Sequence, residues 1–340
     1  MSRPRVSVVI VTWNGRGLLE RFLPSVRATE YPALEIVVAD NASDDGTAEW
    51  LAAHHPEVRI VRHGENLLFA AGNNEAVPHA SGEIVVFLNN DVEVPPGWLT
   101  PLVDALERDP GLAAVQPKLL QLDRRTFEYA GAAGGFLDRF GFPFTRGRLF
   151  EHLEPDTGQY DTYREVTWAS GAAFAVRREA FTEAGGFDAS FGMHMEEIDL
   201  CWRLWRRGWR VACEPASVVY HLGGASLPRG NARKTFYNYR NGLVMLAKNL
   251  PTGEAARALR ARRAFDAVAA ARLVTQGRTE EARAIRQGWR EARERIAGIE
   301  SPLPGEPQPP LYNRSVVVDH FARGRRSFAS LPASVFTSGG

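Results

Sequence analysis

The sequence has almost no cysteine: Cys201 and Cys213 are the only two in 340 residues. That excludes a disulfide framework and a cysteine-rich zinc site, and it fits a reducing compartment. An excess of one charge is also lacking, since 41 basic residues meet 40 acidic ones for a net charge of +1. That argues against a general polyanion binder, local charged patches aside, and nucleic acid is not an expected partner. No apolar run approaches the ~20 residues that a membrane span needs. The start, Met1-Ser-Arg-Pro-Arg5 and then an apolar run to Trp13, turns polar too soon for a signal peptide. A cytoplasmic protein is expected. With 44% apolar and 24% charged residues, large-scale disorder is excluded as well. At roughly 150 residues per domain, the length indicates about two domains, or one large α/β domain with an appendage.

What is present is an alternation of two periods. Short β-branched runs occupy residues 6–12, 35–40, 58–62 and 84–88, and helical patterns fill 18–28, 47–54 and 70–80. Near-continuous Val/Ile strands separated by helices predict a parallel sheet covered on both faces. Ligands of such sheets bind at the carboxyl ends of the strands.

Those ends are polar. Strand one runs into Thr12-Trp-Asn-Gly15, strand two into Asp40-Asn-Ala-Ser-Asp-Asp-Gly-Thr47, and strand four into Asn89-Asn-Asp91. Neither G-x-G-x-x-G nor a Walker P-loop follows strand one, which disfavours dehydrogenase and P-loop ATPase readings. Asp44 to Thr47 reads as a turn and helix cap. Asp40 directly ends an apolar strand, where a carboxylate either bonds a ligand or serves the turn. Asp91 either helps hold a hard divalent cation, which neutralises a diphosphate, or closes an Asx turn.

In order along the chain, Val6-Ser-Val-Val-Ile-Val-Thr-Trp-Asn14, Val37 to Thr47, Asn66 to Asn74, Leu88-Asn-Asn-Asp91, Trp168-Ala-Ser-Gly-Ala172, Gly185-Gly-Phe-Asp188, Glu196-Glu-Ile-Asp-Leu-Cys-Trp-Arg203, Val219-Tyr-His-Leu-Gly-Gly224 and Tyr239-Arg-Asn-Gly242 resemble the successive motifs of inverting family 2 glycosyltransferases. The resemblance is nearest to the bacterial rhamnosyltransferase-like branch and spans about residues 5–250. It implies a GT-A fold, a Rossmann-like and mostly parallel α/β sheet flanked by helices, with a nucleoside-diphosphate sugar as donor and Mg²⁺ or Mn²⁺ as cofactor. Two departures stand out. Leu68 and Ala71 replace glycines of the usual Asn-Leu-Gly-Phe-Ala-Gly-Gly-Asn stretch, and the usual Glu-Asp pair is Glu196-Glu197.

Carried over residue by residue, the resemblance puts Thr12, Asn14, Asp40, Asn41 and Asp45 around the nucleotide, with Asp40 the partner of the base and Asn73 holding the region close. Asn90 and Asp91 fall in the equivalent of the D-x-D motif. Because Asn89 and Asn90 replace acids, Asp91 needs a second metal ligand, and the resemblance supplies His221, a usable neutral imidazole. Gly223 and Gly224 would let backbone approach the diphosphate. Arg240 and Asn241, on a helix starting near residue 232, either meet phosphates or form a solvated helix face.

Residues 195–208 form a helical pattern. Ile198, Cys201, Trp202, Trp205 and Trp209 share an apolar face, and Glu196, Asp199 and Arg203 share the opposite one, either as a salt-bridged face or as acids placed in the first turn for the helix dipole. Glu197 sits at the edge of the apolar stripe, where desolvation raises its pKa and suits a general base. The resemblance also makes the second acid of the pair the base. Adjacent residues on a helix cannot flank a sugar from both sides, which argues against a retaining glycosidase arrangement.

The expected organisation is a catalytic domain over 1–250, with a nucleotide-binding half (1–110) and an acceptor half (111–250), then a helical extension over 251–300 and a stiff Pro-rich linker with a basic tail over 301–340, partly mobile at its end. Residues 254–300 hold eleven arginines and seven acids. A helix is expected over 279–297, after one with Phe265, Val268 and Arg272 on one side. The pair packs on the catalytic domain or a second subunit, or attaches peripherally to anionic lipid. The function expected is transfer of a sugar, first rhamnose from dTDP-rhamnose, to a saccharide or lipid-linked saccharide. The alternatives are a catalytically silent sugar-nucleotide binder and a nucleotidyltransferase on a similar sheet. Thr12 to Gly15 lack the glycine- and arginine-rich phosphate loop expected of the latter.

Overall fold

The computed structural model describes residues 3–223, 230–300, 302–303 and 305–338. Its first half is the expected alternation: β1 (Val6–Thr12), α1 (Arg16–Arg27), β2 (Leu34–Asp40), α2 (Thr47–His54), β3 (Arg59–Arg62), α3 (Leu68–Ala76) and β4 (Ile84–Leu88). These strands pair in parallel in the order β3-β2-β1-β4. The apolar residues of β1, β2 and β4 face two layers. Leu19, Leu23, Leu102 and Leu106 pack on one face, and Phe174, Phe181 and Phe187 on the other. Helix α3 begins at Leu68 rather than 70 and gives way after Ala76 to a 3-10 turn over Val77–His79. Pro78 has no N–H to continue the α-helical ladder.

Next come β5 (Val92–Glu93), α4 (Leu99–Arg108), β6 (Leu112–Gln121), the short strands β7 (Gly135–Asp138), β8 (Pro143–Thr145), β9 (Arg148–Leu149), β10 (His152–Leu153) and β11 (Arg164–Glu165), then β12 (Ala173–Arg177), α5 (Arg178–Glu183), α6 (Glu196–Arg206) and β13 (Arg210–His221). Strand β12 runs antiparallel between β4 and β6, and β13 lies parallel to β6. One sheet, ordered β11-β13-β6-β12-β4-β1-β2-β3 with β5 on β13, therefore continues across residue 110. The two expected halves share it.

The chain continues through α7 (Ala232–Asn249), α8 (Thr252–Thr275), α9 (Thr279–Ile296), β14 (Leu311–Tyr312) and α10 (Val316–Phe321). Helices α8 and α9 pack on each other and on α7, so the helical pair rests on the catalytic domain. On α8 the buried stripe is Ala255, Ala258, Arg262 and Asp266, not the expected face, because Val268 is 70% exposed.

The tail differs more. Strand β14 adds in parallel to β7 and completes a second sheet, β10-β9-β8-β7-β14. Tyr312, Val316, Phe328 and Leu331 are buried, and Phe328 contacts the rings of Phe136, Phe144, Tyr160 and Phe336. The Pro-rich stretch is a strap: Gln308 accepts from the Trp202 indole at 3.0 Å, and Glu306 pairs with Arg206 at 2.8 Å. A stiff linker with a tail mobile only at its end is expected, and the described residues pack as far as Phe336, whose ring meets those of Phe136 and Tyr312. Aromatic burial fixes a segment whose proline content looks extended in sequence.

Candidate active site

Each loop at the carboxyl ends of β1, β2 and β4 is held by side chains from its neighbours. The Asn90 amide donates to Thr12 Oγ1 at 2.9 Å, joining β4 to β1. A Cβ on Gly15 would lie 2.2 Å from that same oxygen, so only glycine fits there. Asn14, at φ 47°, donates its N–H to Ser43 Oγ at 2.8 Å and accepts from the Asp44 amide at 2.9 Å. The β1 and β2 loops are thereby fastened to each other. Asp40 is buried and accepts from the Ser43 hydroxyl. Asn41 donates to the Leu68 carbonyl at 3.0 Å and ties β2 to α3.

Two more residues of the expected pocket are held by hydrogen bonds. Asp45 accepts from the amides of Arg16 and Thr47, at 3.0 and 3.1 Å, which is the turn and cap read from the sequence. Burial opposes its charge, but these bonds and one from the Thr47 hydroxyl hold its pKa below the ordinary value. Asn73 donates to the Phe69 carbonyl of its own helix at 2.9 Å.

Asp91 and His221 are 130 positions apart, yet His221 Nε2 lies 2.9 Å from Asp91 Oδ1. The cause is β5, which pairs with the end of β13 in the register His221↔Val92. Both side chains are buried. Behind the imidazole stands Glu128, also buried, with Oε1 3.3 Å from His221 Nδ1. Burial disfavours the imidazolium, but hydrogen bonds and attraction from the two carboxylates win and push the His221 pKa up to about 10. Glu128 was missed in the sequence because no local pattern links it to a partner across the sheet. Gly223, at φ 68°, passes so near that a Cβ would sit 3.0 Å from Glu128 Oε1, whereas Gly224 lies outside the described residues.

Glu197 reaches the site from α6. His194 and Met195 both take left-handed backbone, φ 66° and 74°, and turn the chain so that Glu196 and Glu197 open the helix. Each such residue costs on the order of 1 kcal/mol. The Glu197 side chain stands beside Gly171. One residue on, the Ala172 carbonyl accepts from the Asn89 amide at 2.9 Å, so the 168–172 segment connects Glu197 to the end of β4. Burial pushes the Glu197 pKa up to about 7, and its Oε2 has no hydrogen-bond partner among the described residues. Glu196 is driven well above the usual range, by burial first and then by repulsion from Glu197.

The salt bridge expected on the polar side of α6 forms between Asp199 and Arg203, and that side is buried. Glu196, Asp199 and Arg203 are all buried, and Glu196 takes no part in the ion pair. Asp199 binds Arg203 at 2.7 Å, Lys248 at 3.0 Å and Asn249 at 2.8 Å, which joins α6 to α7. Helical periodicity found the pair but could not show that α7 would cover it. Trp209 also falls beyond the helix end. Arg240 is not brought to the strand ends by any described contact. Its guanidinium bonds the carbonyls of Ser190 and Phe191, at 3.3 and 2.8 Å, and Asn241 at 2.8 Å. These bonds fasten the turn before α6, and the face is buried rather than solvated.

The pattern of glycosyl transferase family 2 matches residues 7–185, which includes β1 to β4, Asp40 and Asp91. The chain belongs to this family. It is 32% identical over 265 residues to an N-acetylglucosaminyl-diphospho-decaprenol L-rhamnosyltransferase of Mycobacterium tuberculosis, covering 71% of this chain and 83% of that protein. It is 34% identical over 230 residues to the O-antigen biosynthesis protein RfbC of Myxococcus xanthus, covering 66% of this chain and 18% of that one. Among solved structures, a mannosyltransferase from Pyrobaculum calidifontis in complex with GDP-Man and Mn²⁺ superposes with a TM-score of 0.53 at 21% identity, over 86% of this chain and 88% of the other. GalNAc-T7 with UDP, GalNAc and Mn²⁺ gives 0.56 at 21% identity, over 73% and 48%. The fold is GT-A, and the activity class is glycosyl transfer, which decides against the nucleotidyltransferase reading.

Proposed function

We propose that this family 2 glycosyltransferase is an inverting rhamnosyltransferase using dTDP-rhamnose and a lipid-diphosphate-linked saccharide in surface polysaccharide synthesis. The observation that carries the chemistry is Glu197, a half-buried carboxyl with one free oxygen and a pKa near neutrality, connected to the strand ends through the 168–172 segment. The rhamnosyltransferase relative of M. tuberculosis supports the choice of sugar and acceptor class.

In this reading the nucleoside lies over β1 and β2, and Asp40 and Asn41 bond its base and ribose with Thr12, Asn14 and Asn90 alongside. Glu197 takes the proton of the acceptor hydroxyl as its oxygen bonds the anomeric carbon. The bond from that carbon to the diphosphate oxygen breaks, and the nucleoside diphosphate leaves with the electron pair. A single displacement inverts the anomeric centre.

The donor set at the end of β4 fits a divalent cation that displaces the proton His221 shares with Asp91, since only neutral imidazole ligates a metal. A carboxylate and an imidazole lie buried within 2.9 Å of each other, and the Glu128 carboxylate stands 3.3 Å from the far ring nitrogen. No cluster of three or more such ligands is found among the described residues, so diphosphate oxygens would complete the set. Asp91 and His221 would hold Mg²⁺ or Mn²⁺, whose chemistry there is to neutralise the leaving diphosphate.

The test is a panel of nucleotide sugars with a lipid-diphosphate acceptor, followed by nuclear magnetic resonance of the product's anomeric centre. Rhamnose transfer with inversion is expected. Transfer from another donor alone would overturn the sugar, and retention would overturn the mechanism.

A further inference from the structure

Past its first turn, where Glu254 is exposed, the solvent-facing side of α8 carries no acid. Between residues 255 and 275 the single carboxylate is Asp266, and it is buried against Arg262 and Trp289. The exposed arc holds Arg257, Arg260, Arg263 and Arg272, with Ala264, Ala267, Val268, Ala271 and Val274 between them. A solvated helix face normally mixes charge signs, whereas cations over an apolar stripe mark an interfacial helix. Val268 and Val274 are 70% and 54% exposed. Phe321 of α10, 54% exposed, joins the same side through Arg272, whose guanidinium lies 5.2 Å over its ring.

Beside this arc, α8 and α9 enclose a groove of about 290 Å³ lined by Arg263, Arg286, Trp289, Arg290 and Arg293, with the one carboxylate in its lining, Asp266, already paired to Arg262 and Trp289. Those four arginines have no ion pair among the described residues. The groove is sized for phosphate-bearing headgroups, and the valines and Phe321 suit the boundary below them.

We infer that the α8–α9 face is a docking surface for an anionic lipid bilayer. Charge complementarity favours this occupant over a second copy of the chain, because two such faces would oppose cation to cation. The purpose of docking rests on the lipid-linked acceptor proposed above, but the docking itself does not.

The test is flotation of the full chain with phosphatidylglycerol-containing vesicles and with pure phosphatidylcholine vesicles, without donor or acceptor. Binding to the anionic vesicles alone, weakened at high salt, is expected. Arg263→Gln/Arg286→Gln/Arg290→Gln should reduce partitioning roughly 100-fold, about fivefold per charge. Val268→Ser/Val274→Ser should reduce it further, with melting temperature and donor hydrolysis unchanged in both variants. Equal binding to both vesicle types, no binding to either, or a dimer in light scattering that the arginine variant dissociates would each overturn the docking face. Vesicle binding without use of a lipid-linked acceptor would instead sink the proposed acceptor and leave the face standing.

Discussion

The strand-end loops of the first 91 residues and the tail beyond residue 300 are held by opposite means. In the loops, short polar residues bond neighbours across the sheet, as Asn14 does with Ser43 and Asp44, or Asn90 with Thr12. In the tail, large apolar side chains fill a space that the rest of the chain leaves open, as Phe328 does among four aromatic rings. Polar loops at strand ends can exchange partners with a ligand at little cost to the fold. Aromatic anchors cannot. Damage in the first region should therefore appear in binding and turnover, and damage in the second in stability.

The largest effect should come from Glu197, which sits between the two regimes. Glu197→Gln should lower kcat by about 10²–10⁴, measured as nucleoside diphosphate release at saturating substrate. The wild-type rate should rise with pH through about 7, where the carboxyl loses its proton. Stability runs the other way. The folded state holds this proton above the unfolded pKa, so the group's contribution diminishes as pH rises from the unfolded pKa through about 7. Glu197→Gln should accordingly melt no lower than wild type at pH 8. A slow variant that also melts early would place Glu197 in the scaffold.

Asp199→Ala should cost about 3–5 kcal/mol in urea unfolding, because it strands the buried Arg203 guanidinium. Its specific activity while folded should change far less than that of Glu197→Gln. Phe328→Ala should cost about 3 kcal/mol by the same measurement and leave nucleotide affinity intact. Lost nucleotide binding at unchanged stability would break the contrast, since it would tie the tail to the site.

Asp40→Ala should give the smallest effect and the reverse signature. Calorimetry should show nucleoside diphosphate binding weakened by about 1–3 kcal/mol, with little loss of melting temperature. A folded variant with full affinity would return Asp40 to a turn residue that only receives the Ser43 hydroxyl.

The sequence by itself determined the parallel strands, the helices between them and the polar residues at their ends, because periodicity and turn chemistry are local. It also placed α9 within a residue of its observed end, over Thr279–Ile296. Only the tertiary structure decided which of those residues meet. The β5–β13 pairing brings Asp91 to His221 and sets Glu128 behind it, and the cover of α7 converts the polar side of α6 into a buried ion-pair network. The tail shows the same division. Pro-rich and basic sequence reads as a stiff linker and a tail with a mobile end, but burial depends on surface supplied elsewhere in the chain. Here the open edge of β7 and the rings of Phe136 and Phe144 supply it. Local pattern fixes what each segment can form, whereas long-range packing fixes what surrounds it.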